Sequence, residues 1–202
     1  MQAELEALRA EVAALRDKDA IITLQTAYGY YVDKAQWDEA ADLFARQATL
    51  EIAARGQFCG QDRIRAYLHA LPALNDGTVF NHMQLQPLIT VDGDRAKGRW
   101  RAIMEVGFVG RESLCGEGTY ENAYVREDGI WKIDKLHFFV TYYVAWDKGW
   151  SDGGVPMGTP LSGMEPDAPK TVDYNSFPSV YIPPYHYPNP VTGKTWKKEH
   201  SA

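Results

Sequence analysis

Cysteine is scarce in this chain: its 202 residues include only Cys59 and Cys115. Two cysteines form neither a disulfide framework nor a zinc-binding set, so we expect two reduced thiols in a cytoplasmic protein. The chain also lacks a run of about 18 apolar residues, which a membrane span requires. Its N-terminus, MQAELEALRAEVAALRDKD, has no uninterrupted apolar stretch of the signal-peptide kind. The sequence therefore predicts neither secretion nor a membrane partner.

Positive charge is also in short supply. Lysine and arginine number 21 against 27 aspartates and glutamates, which gives a net charge of -6. Nucleic-acid binding needs a positive field against phosphates, so we expect no nucleic-acid partner. The motifs GxxxxGK[ST], GxGxxG and HExxH are absent, so no sequence motif indicates a nucleotide, flavin or classical zinc site. We expect no cofactor and no metal site.

Proline is rare until late in the chain: two of the 11 prolines precede Trp146 and nine lie in the 56 residues that follow it. Periodicity vanishes there too, and the composition alone would favour disorder. The aromatic residues of this segment favour packing instead: Trp150, Tyr174, Phe177, Tyr181, Tyr185, Tyr187 and Trp196. We predict that residues 147–202 form an extended strap or lid, over the sheet or across a subunit boundary. A surface extension is the alternative.

Before this split, the chain begins with helical patterns. Apolar residues recur every three or four positions over residues 1–16, at Leu5, Leu8, Val12 and Leu15. This stripe is too short for an independent coiled coil, so we expect it to dock on the body or on a second subunit. Asp17 or Asp19 is predicted to cap a second helix. That helix carries Tyr28 and leads towards Asp33.

The rest of residues 17–146 predicts one α+β domain. Further helices are predicted at 37–44 and 60–71, and a strand at 48–52. The period then changes to two, which predicts two long hairpins: 82–91 with 96–109, and 116–126 with 131–146. Helices followed by a meander of strands indicate helices packed on one face of a curved, mainly antiparallel sheet.

Asp33 and His82 are the strongest candidates for chemistry. Asp33 lies near the end of an aromatic and apolar helical face, where an unpaired carboxylate is costly. His82 opens a predicted strand. A carboxylate that holds one imidazole nitrogen fixes the tautomer and makes a general base that works near neutral pH. A solvated aspartate and a structural histidine are the alternatives. Tyr28 could donate a hydrogen bond to a leaving oxygen or simply pack in the core.

Three segments, YYVDKAQWDEAADLF, NHM and GTYENAYVREDGIWKIDKL, together resemble the SnoaL-like branch of the nuclear transport factor 2 superfamily over roughly residues 15–146. The resemblance implies a cone-shaped α+β barrel with a deep pocket. The family's catalysts include scytalone dehydratase, bile acid 7α-dehydratase, lindane dehydrochlorinase and ketosteroid isomerase. In its lyases, a helix-end aspartate and a strand histidine form the base dyad, and Asp33 and His82 match these positions. Tyr28 matches a tyrosine five residues before the aspartate in the bile acid enzyme.

The strand AKGRWRAIMEVGF departs from the dehydratases, which carry another histidine or aspartate on this strand. Its inward face is predicted to be apolar. The expected substrate-binding residues are Trp100, Met104, Tyr120, Phe138 and Tyr142, with His137 as a further polar candidate. This lining suits a flat, hydrophobic aromatic substrate with few charges.

The tail PPYHYPNPVTGK and the aromatic strand before it are similar to SnoaL-like proteins of aromatic-degrading bacteria. These include γ-formaldehyde lyases that convert lignin-derived diaryl propane diols to stilbenes. The leading hypothesis is thus a cofactor-independent lyase, either such a formaldehyde lyase or a related dehydratase. The alternatives are an isomerase or polyketide-type cyclase and a non-catalytic small-molecule binding module. We expect a homo-oligomer and favour a trimer over a dimer.

Overall fold

The computed structural model describes residues 1–155 and 161–197. Its helices are α1 (Gln2–Asp33), α2 (Trp37–Asp42) and α3 (Gln61–His69). Its strands are β1 (Phe44–Ile52), β2 (Gln57–Cys59), β3 (Thr78–Asp92), β4 (Arg95–Phe108), β5 (Glu112–Glu127) and β6 (Ile130–Ala145). A short 3₁₀ turn follows at Trp150–Asp152. No helix among the described residues is both long and apolar enough to cross a bilayer.

The six strands form one sheet in the order β2-β1-β6-β5-β4-β3. All neighbouring pairs are antiparallel except β1 and β6, which run parallel. The predicted α+β cone with a curved, mainly antiparallel sheet is confirmed. The word barrel needs correction, because β2 and β3 are the two edge strands and do not pair with each other, so the described sheet does not close.

Turn chemistry sets the register of the β5–β6 hairpin. Glu127 pairs with Ile130, which leaves a two-residue loop at Asp128 and Gly129. Both loop residues have positive φ, 53° and 80°, as the hairpin turn favoured by Asp-Gly requires. The predicted hairpin over these residues is therefore present, with strands that extend up to the turn.

The predicted break between two N-terminal helices is wrong. Helix α1 is continuous over 32 residues. Asp17 lies within it and caps no helix; its carboxylate accepts hydrogen bonds from Trp131 Nε1 at 3.0 Å and Arg126 Nη2 at 2.7 Å. These bonds attach α1 to the body. The stripe before them does not dock on the body, because its side chains remain exposed: Leu5 47%, Leu8 56%, Val12 39% and Leu15 66%.

Residues 174–186 of the C-terminal segment lie across the sheet face that points away from the helices. Tyr174 and Tyr181 pack on the ring of Phe139, and the Tyr174 hydroxyl accepts a hydrogen bond from the Val140 N–H at 2.9 Å. We call residues 161–197 the strap. Of the described residues after Trp146, only Val155 reaches the cavity under the helices. Residues 156–160 and 198–202, part of the predicted strap, lie outside the described residues.

Candidate active site

A cavity of about 340 Å³ lies between the helices and the inner face of the sheet. This volume falls within the range of small-molecule sites, about 300–1,000 Å³. Much of its wall is apolar and comes from several elements, including Val32, Trp37, Leu68, Phe80, Met104 and Phe138. Its polar members are Tyr28, Arg55, Tyr67, His82, Glu112, Tyr120 and Tyr143.

Asp33 and His82 are brought together at one side of this cavity. Asp33 is the last residue of α1, and its Oδ1 accepts a hydrogen bond from the His82 backbone N–H at 2.6 Å. The same oxygen lies 3.2 Å from His82 Nδ1. The Asp33 side chain is 13% exposed and the His82 side chain 21%. A carboxylate on Nδ1 fixes this nitrogen as the N–H donor and leaves Nε2 as the basic nitrogen available to a ligand.

Gly29 sets how closely α1 approaches β3. A Cβ atom at this position would lie 2.8 Å from the Gln84 Cγ atom and 3.0 Å from the carbonyl oxygen of His82. Both distances are shorter than ordinary van der Waals contact, so a larger residue would push the helix away from the strand. Gly29 lies about one turn before Asp33 and therefore permits the contact between Asp33 and His82.

Tyr28 and Tyr120 supply buried hydroxyl groups to the cavity wall. Their rings meet edge to face with centroids 6.5 Å apart, and Tyr28 is only 4% exposed. Burial, reinforced by the neighbouring phenols Tyr120 and Tyr67, raises the pKa of Tyr28 well above its usual range. Burial raises the pKa of Tyr120 as well. Both side chains therefore stay protonated and can act as hydrogen-bond donors, not as bases.

A buried polar network, missed by the sequence analysis, supports the strand that carries His82. Gln25 in α1 donates to Gln84 Oε1 at 2.9 Å, and Gln84 Nε2 donates to the His82 carbonyl at 2.9 Å. Asn122 and Tyr124 donate to Gln25 Oε1 at 3.0 and 2.8 Å. One signal was available: Gln25 is a polar residue on the apolar helix face between Ile21 and Tyr28.

The predicted lining residues divide into two groups. Met104, Tyr120 and Phe138 line the cavity, whereas Trp100, His137 and Tyr142 do not. Trp100 is on the inner face but lies in the packed core, where its Nε1 donates to the Tyr124 hydroxyl at 2.9 Å. Its indole is thus part of the hydrophobic core that borders the cavity.

His137 and Tyr142 were misplaced for reasons of strand geometry. Adjacent strand residues point to opposite faces, so His137 cannot share the cavity with Phe138. It stacks on Phe139 beneath the C-terminal segment, with ring centroids 3.9 Å apart. A register shift in β6 between Val140 and Tyr142 then interrupts the alternation. As a result Tyr143 lines the cavity, and Tyr142 packs against Trp150.

Arg55 is the least expected member of the cavity wall. It lies in the turn between β1 and β2, and its Nη1 donates to the Tyr67 hydroxyl at 2.7 Å. Tyr67 is a buried residue of α3. No pattern in a short turn shows which way an arginine points. Among the described residues, no group of three or more His, Cys, Asp or Glu could hold a metal ion.

Comparison with known proteins identifies the family to which this chain belongs. A model of the SnoaL-like domain matches residues 13–137, more than half of the chain. The chain belongs to the SnoaL-like family. This confirms the resemblance found in the sequence, and the domain contains Asp33, His82 and most of the cavity wall. No curated protein matches the chain.

Several solved structures are similar to this chain. A candidate scytalone dehydratase from Novosphingobium aromaticivorans is 20% identical, with a TM-score of 0.61 over 73% of this chain and 94% of its own. The type 3 hexachlorocyclohexane dehydrochlorinase of Novosphingobium barchaimii is 22% identical, with a TM-score of 0.60 over 68% and 95%. At this level of identity the likeness shows the fold.

Proposed function

We propose that this SnoaL-like protein is a cofactor-independent lyase that performs an acid–base elimination on a hydrophobic phenolic substrate. The observation that carries the proposal is the Asp33–His82 pair, whose histidine lines a largely apolar cavity beside the buried hydroxyls of Tyr28 and Tyr120. The names of the two structural relatives, a dehydratase and a dehydrochlorinase, agree with an elimination.

Each side chain has a role in this reaction. His82 Nε2 takes a proton from the substrate, and the Asp33 carboxylate stabilises the imidazolium that forms. Tyr28 or Tyr120 donates a hydrogen bond to the oxygen that departs or gains charge. Because most of the wall is apolar, these interactions act in a medium of low polarity, where they are strong.

In its sharpest form, the reaction converts a diaryl propane diol to a stilbene. The benzylic hydroxyl leaves as water with a proton from an acid, and the phenol ring supplies the electron pair. The base then takes the proton of the terminal hydroxyl, the carbon–carbon bond breaks, and formaldehyde departs. The bond electrons return to the ring system and form the stilbene double bond. The substrate thus gives one stilbene, one water and one formaldehyde.

Incubation of the purified protein with a 1,2-diaryl propane-1,3-diol tests this reaction. We expect formaldehyde and stilbene to form in equal molar amounts, and the rate of formation of both to fall on the order of 100-fold or more in His82→Ala. Loss of water without formaldehyde would replace the formaldehyde lyase by a dehydratase. Absence of any product from this substrate would count against the sharp form.

The alternatives use the same cavity and are separated by product analysis. An isomerase or polyketide-type cyclase moves a proton but releases no small fragment, so the product has the mass of the substrate. A binding module returns the ligand unchanged. The presence of an acid–base pair favours a catalyst over a binding module.

We also propose a cytoplasmic homo-oligomer, with a trimer favoured over a dimer. The exposed apolar stripe of α1, Leu5, Leu8, Val12 and Leu15, supports self-association, because a second copy would remove it from water. Light scattering on the purified protein measures the mass directly. A monomer at micromolar concentration would contradict the proposal.

A further inference from the structure

Arg55 contributes a positive charge to the cavity but has no role in the elimination proposed above. The turn that carries it is fixed: the Arg55 N–H donates to the Ile52 carbonyl at 3.2 Å. The next residue, Gly56, has a φ of +87°, and a Cβ there would lie 2.6 Å from Pro166. The strap thus holds the turn from outside, and Arg55 is in the wall in a defined position.

Most of the hydrogen-bonding capacity of Arg55 is unused within the described residues. Its guanidinium carries five N–H donors. One side-chain bond is present, from Nη1 to the Tyr67 hydroxyl at 2.7 Å. Nε is buried and has no partner among the described residues. A buried donor without an acceptor is costly, and an acceptor that arrives with a ligand would remove this cost.

Tyr67 adds a hydrogen-bond donor next to Arg55. Its side chain is 2% exposed and its ring packs on Phe58 with centroids 4.4 Å apart. Because its oxygen accepts from Arg55, its own O–H remains free to donate. Burial raises the pKa of Tyr67, and Arg55 opposes the rise, so this O–H stays protonated and is polarised by the cation.

The charges of the wall have an uneven distribution. Within the described part of the chain, Arg55 is the one arginine or lysine and Glu112 the one carboxylate among the residues that line the cavity. Neither an ion pair nor a hydrogen bond joins Arg55 to Glu112 among the described residues. The charge of Arg55 is therefore left to act on whatever occupies the cavity.

We propose that Arg55 and Tyr67 form a second polar subsite of the cavity, which binds an ionised oxygen of the substrate, either a phenolate or a carboxylate. This inference rests on the proposed function, because it places the ionised end of the same ring substrate at Arg55 while its reacting carbon lies at His82. A guanidinium holds a carboxylate with two parallel hydrogen bonds and a phenolate with one, and the Tyr67 hydroxyl adds another.

Binding of matched ring compounds tests the subsite without any turnover. Cinnamate carries a carboxylate and cinnamamide is its neutral counterpart, and calorimetry gives both affinities. We expect wild type to prefer cinnamate by about tenfold or more, since hydrogen bonds to a charged group are the strong ones. Arg55→Met should abolish this preference and change cinnamamide binding by less than about threefold. Arg46→Met, an exposed arginine of β1, should leave the preference intact.

A phenolate is tested with 4-nitrophenol, whose ionised and neutral forms absorb at different wavelengths. If the subsite takes a phenolate, the bound compound ionises at lower pH in wild type than in Arg55→Met. If cinnamate shows the Arg55 preference and 4-nitrophenol does not, the subsite is for carboxylates; the reverse result assigns it to phenolates.

Tyr67→Phe decides the matter if Arg55→Met loses stability, because the ring of residue 67 and its packing on Phe58 remain. We expect it to reduce the preference for the anion by about three- to tenfold. Equal affinity of wild type for cinnamate and cinnamamide, with no 4-nitrophenolate shift, would overturn the proposal. His82→Ala separates this proposal from the proposed function. The variant should lose activity, because it lacks the dyad, but it should prefer cinnamate over cinnamamide as strongly as wild type does.

Discussion

The two faces of the sheet carry similar residues but use them differently. On the outer face, the strap places Tyr174 and Tyr181 on Phe139, and Tyr185 on Arg99, so that aromatic side chains fill the surface. On the inner face, tyrosines and phenylalanines line a cavity of about 340 Å³. Aromatic content alone therefore does not mark the site. What matters is whether the chain covers a face with its own residues or leaves it to a ligand.

Two of the carboxylate–histidine pairs, one on each face of the sheet, give the largest expected difference between the faces. His82 Nδ1 lies 3.2 Å from Asp33 on the cavity side, and His186 Nδ1 lies 3.0 Å from Glu121 on the outer side. We expect His82→Ala to lower the rate of stilbene formation on the order of 100-fold or more. His186→Ala should retain the rate within about twofold. Initial rates at saturating diol measure both, and equal losses would remove the distinction between the faces.

Gly118 tests how tightly the inner face is packed next to the cavity. A Cβ at this position would lie 2.4 Å from the Phe138 ring and 2.4 Å from the Phe139 carbonyl. We expect Gly118→Ala to lower the free energy of unfolding by about 2 kcal/mol, since the backbone cannot move aside freely. At Gly107 the nearest atoms would be 3.6 Å away. Gly107→Ala should change it by less than about 1 kcal/mol. Urea titrations compare the variants.

Tyr174 tests whether the strap serves stability alone. Tyr174→Phe removes the acceptor of the Val140 N–H and leaves this donor unpaired. We expect a loss of about 1–2 kcal/mol in unfolding free energy with no change in kcat. Tyr181→Phe is the control, because its hydroxyl makes no hydrogen bond within the described residues while its ring packs on the same Phe139. A large fall in kcat for Tyr174→Phe would give the strap a part in catalysis.

His137 gives an effect that appears only as the pH falls, as pH dependence of stability on the outer face. Burial, with a contribution from Lys135, lowers the pKa of His137 to about 3. Unfolding then takes up a proton between about pH 6.5 and 3, so stability is full above this range and falls as the pH drops, by at most about 1.4 kcal/mol per pH unit. His137→Phe should make this slope shallower.

Urea titrations between pH 7 and 4 measure the slope in both proteins. The Glu51 carboxylate lies 3.5 Å from His137 Nε2 and opposes the effect of burial. A slope that His137→Phe does not change would mean that Glu51 keeps the ring protonated and that its pKa is not lowered.

The architecture was predictable because apolar residues recur at different intervals in helices and in strands. The change from a helical to a two-residue period gave the order of helices and hairpins, and Asp128-Gly129 gave a turn. The dyad was accessible for another reason: Asp33 stands out on an apolar helix face, and the family resemblance supplied its partner His82. The separation of α1 into two helices failed, because aspartates such as Asp17 are also tolerated inside a helix when a cation and an indole pair with them.

The cavity wall was predicted only in part, since it depends on features that leave little trace in a pattern. The register shift in β6 exchanges Tyr142 for Tyr143, and no residue type at this place announces it. Arg55 enters the wall from a turn, where side-chain direction follows from backbone dihedral angles and from the packing of Gly56. Strict alternation should have excluded His137 once Phe138 was placed inside.

Gly29 affects the geometry of the candidate active site although it carries no functional group. The distance between Asp33 and His82 depends on how closely α1 approaches β3. Because Gly29 has no side chain, the helix and the strand can come close enough for the two residues to meet. A search of sequences for the dyad alone would accept chains that carry both residues but hold them too far apart. A search that also requires a glycine four positions before the aspartate selects for the spacing as well as for the chemistry.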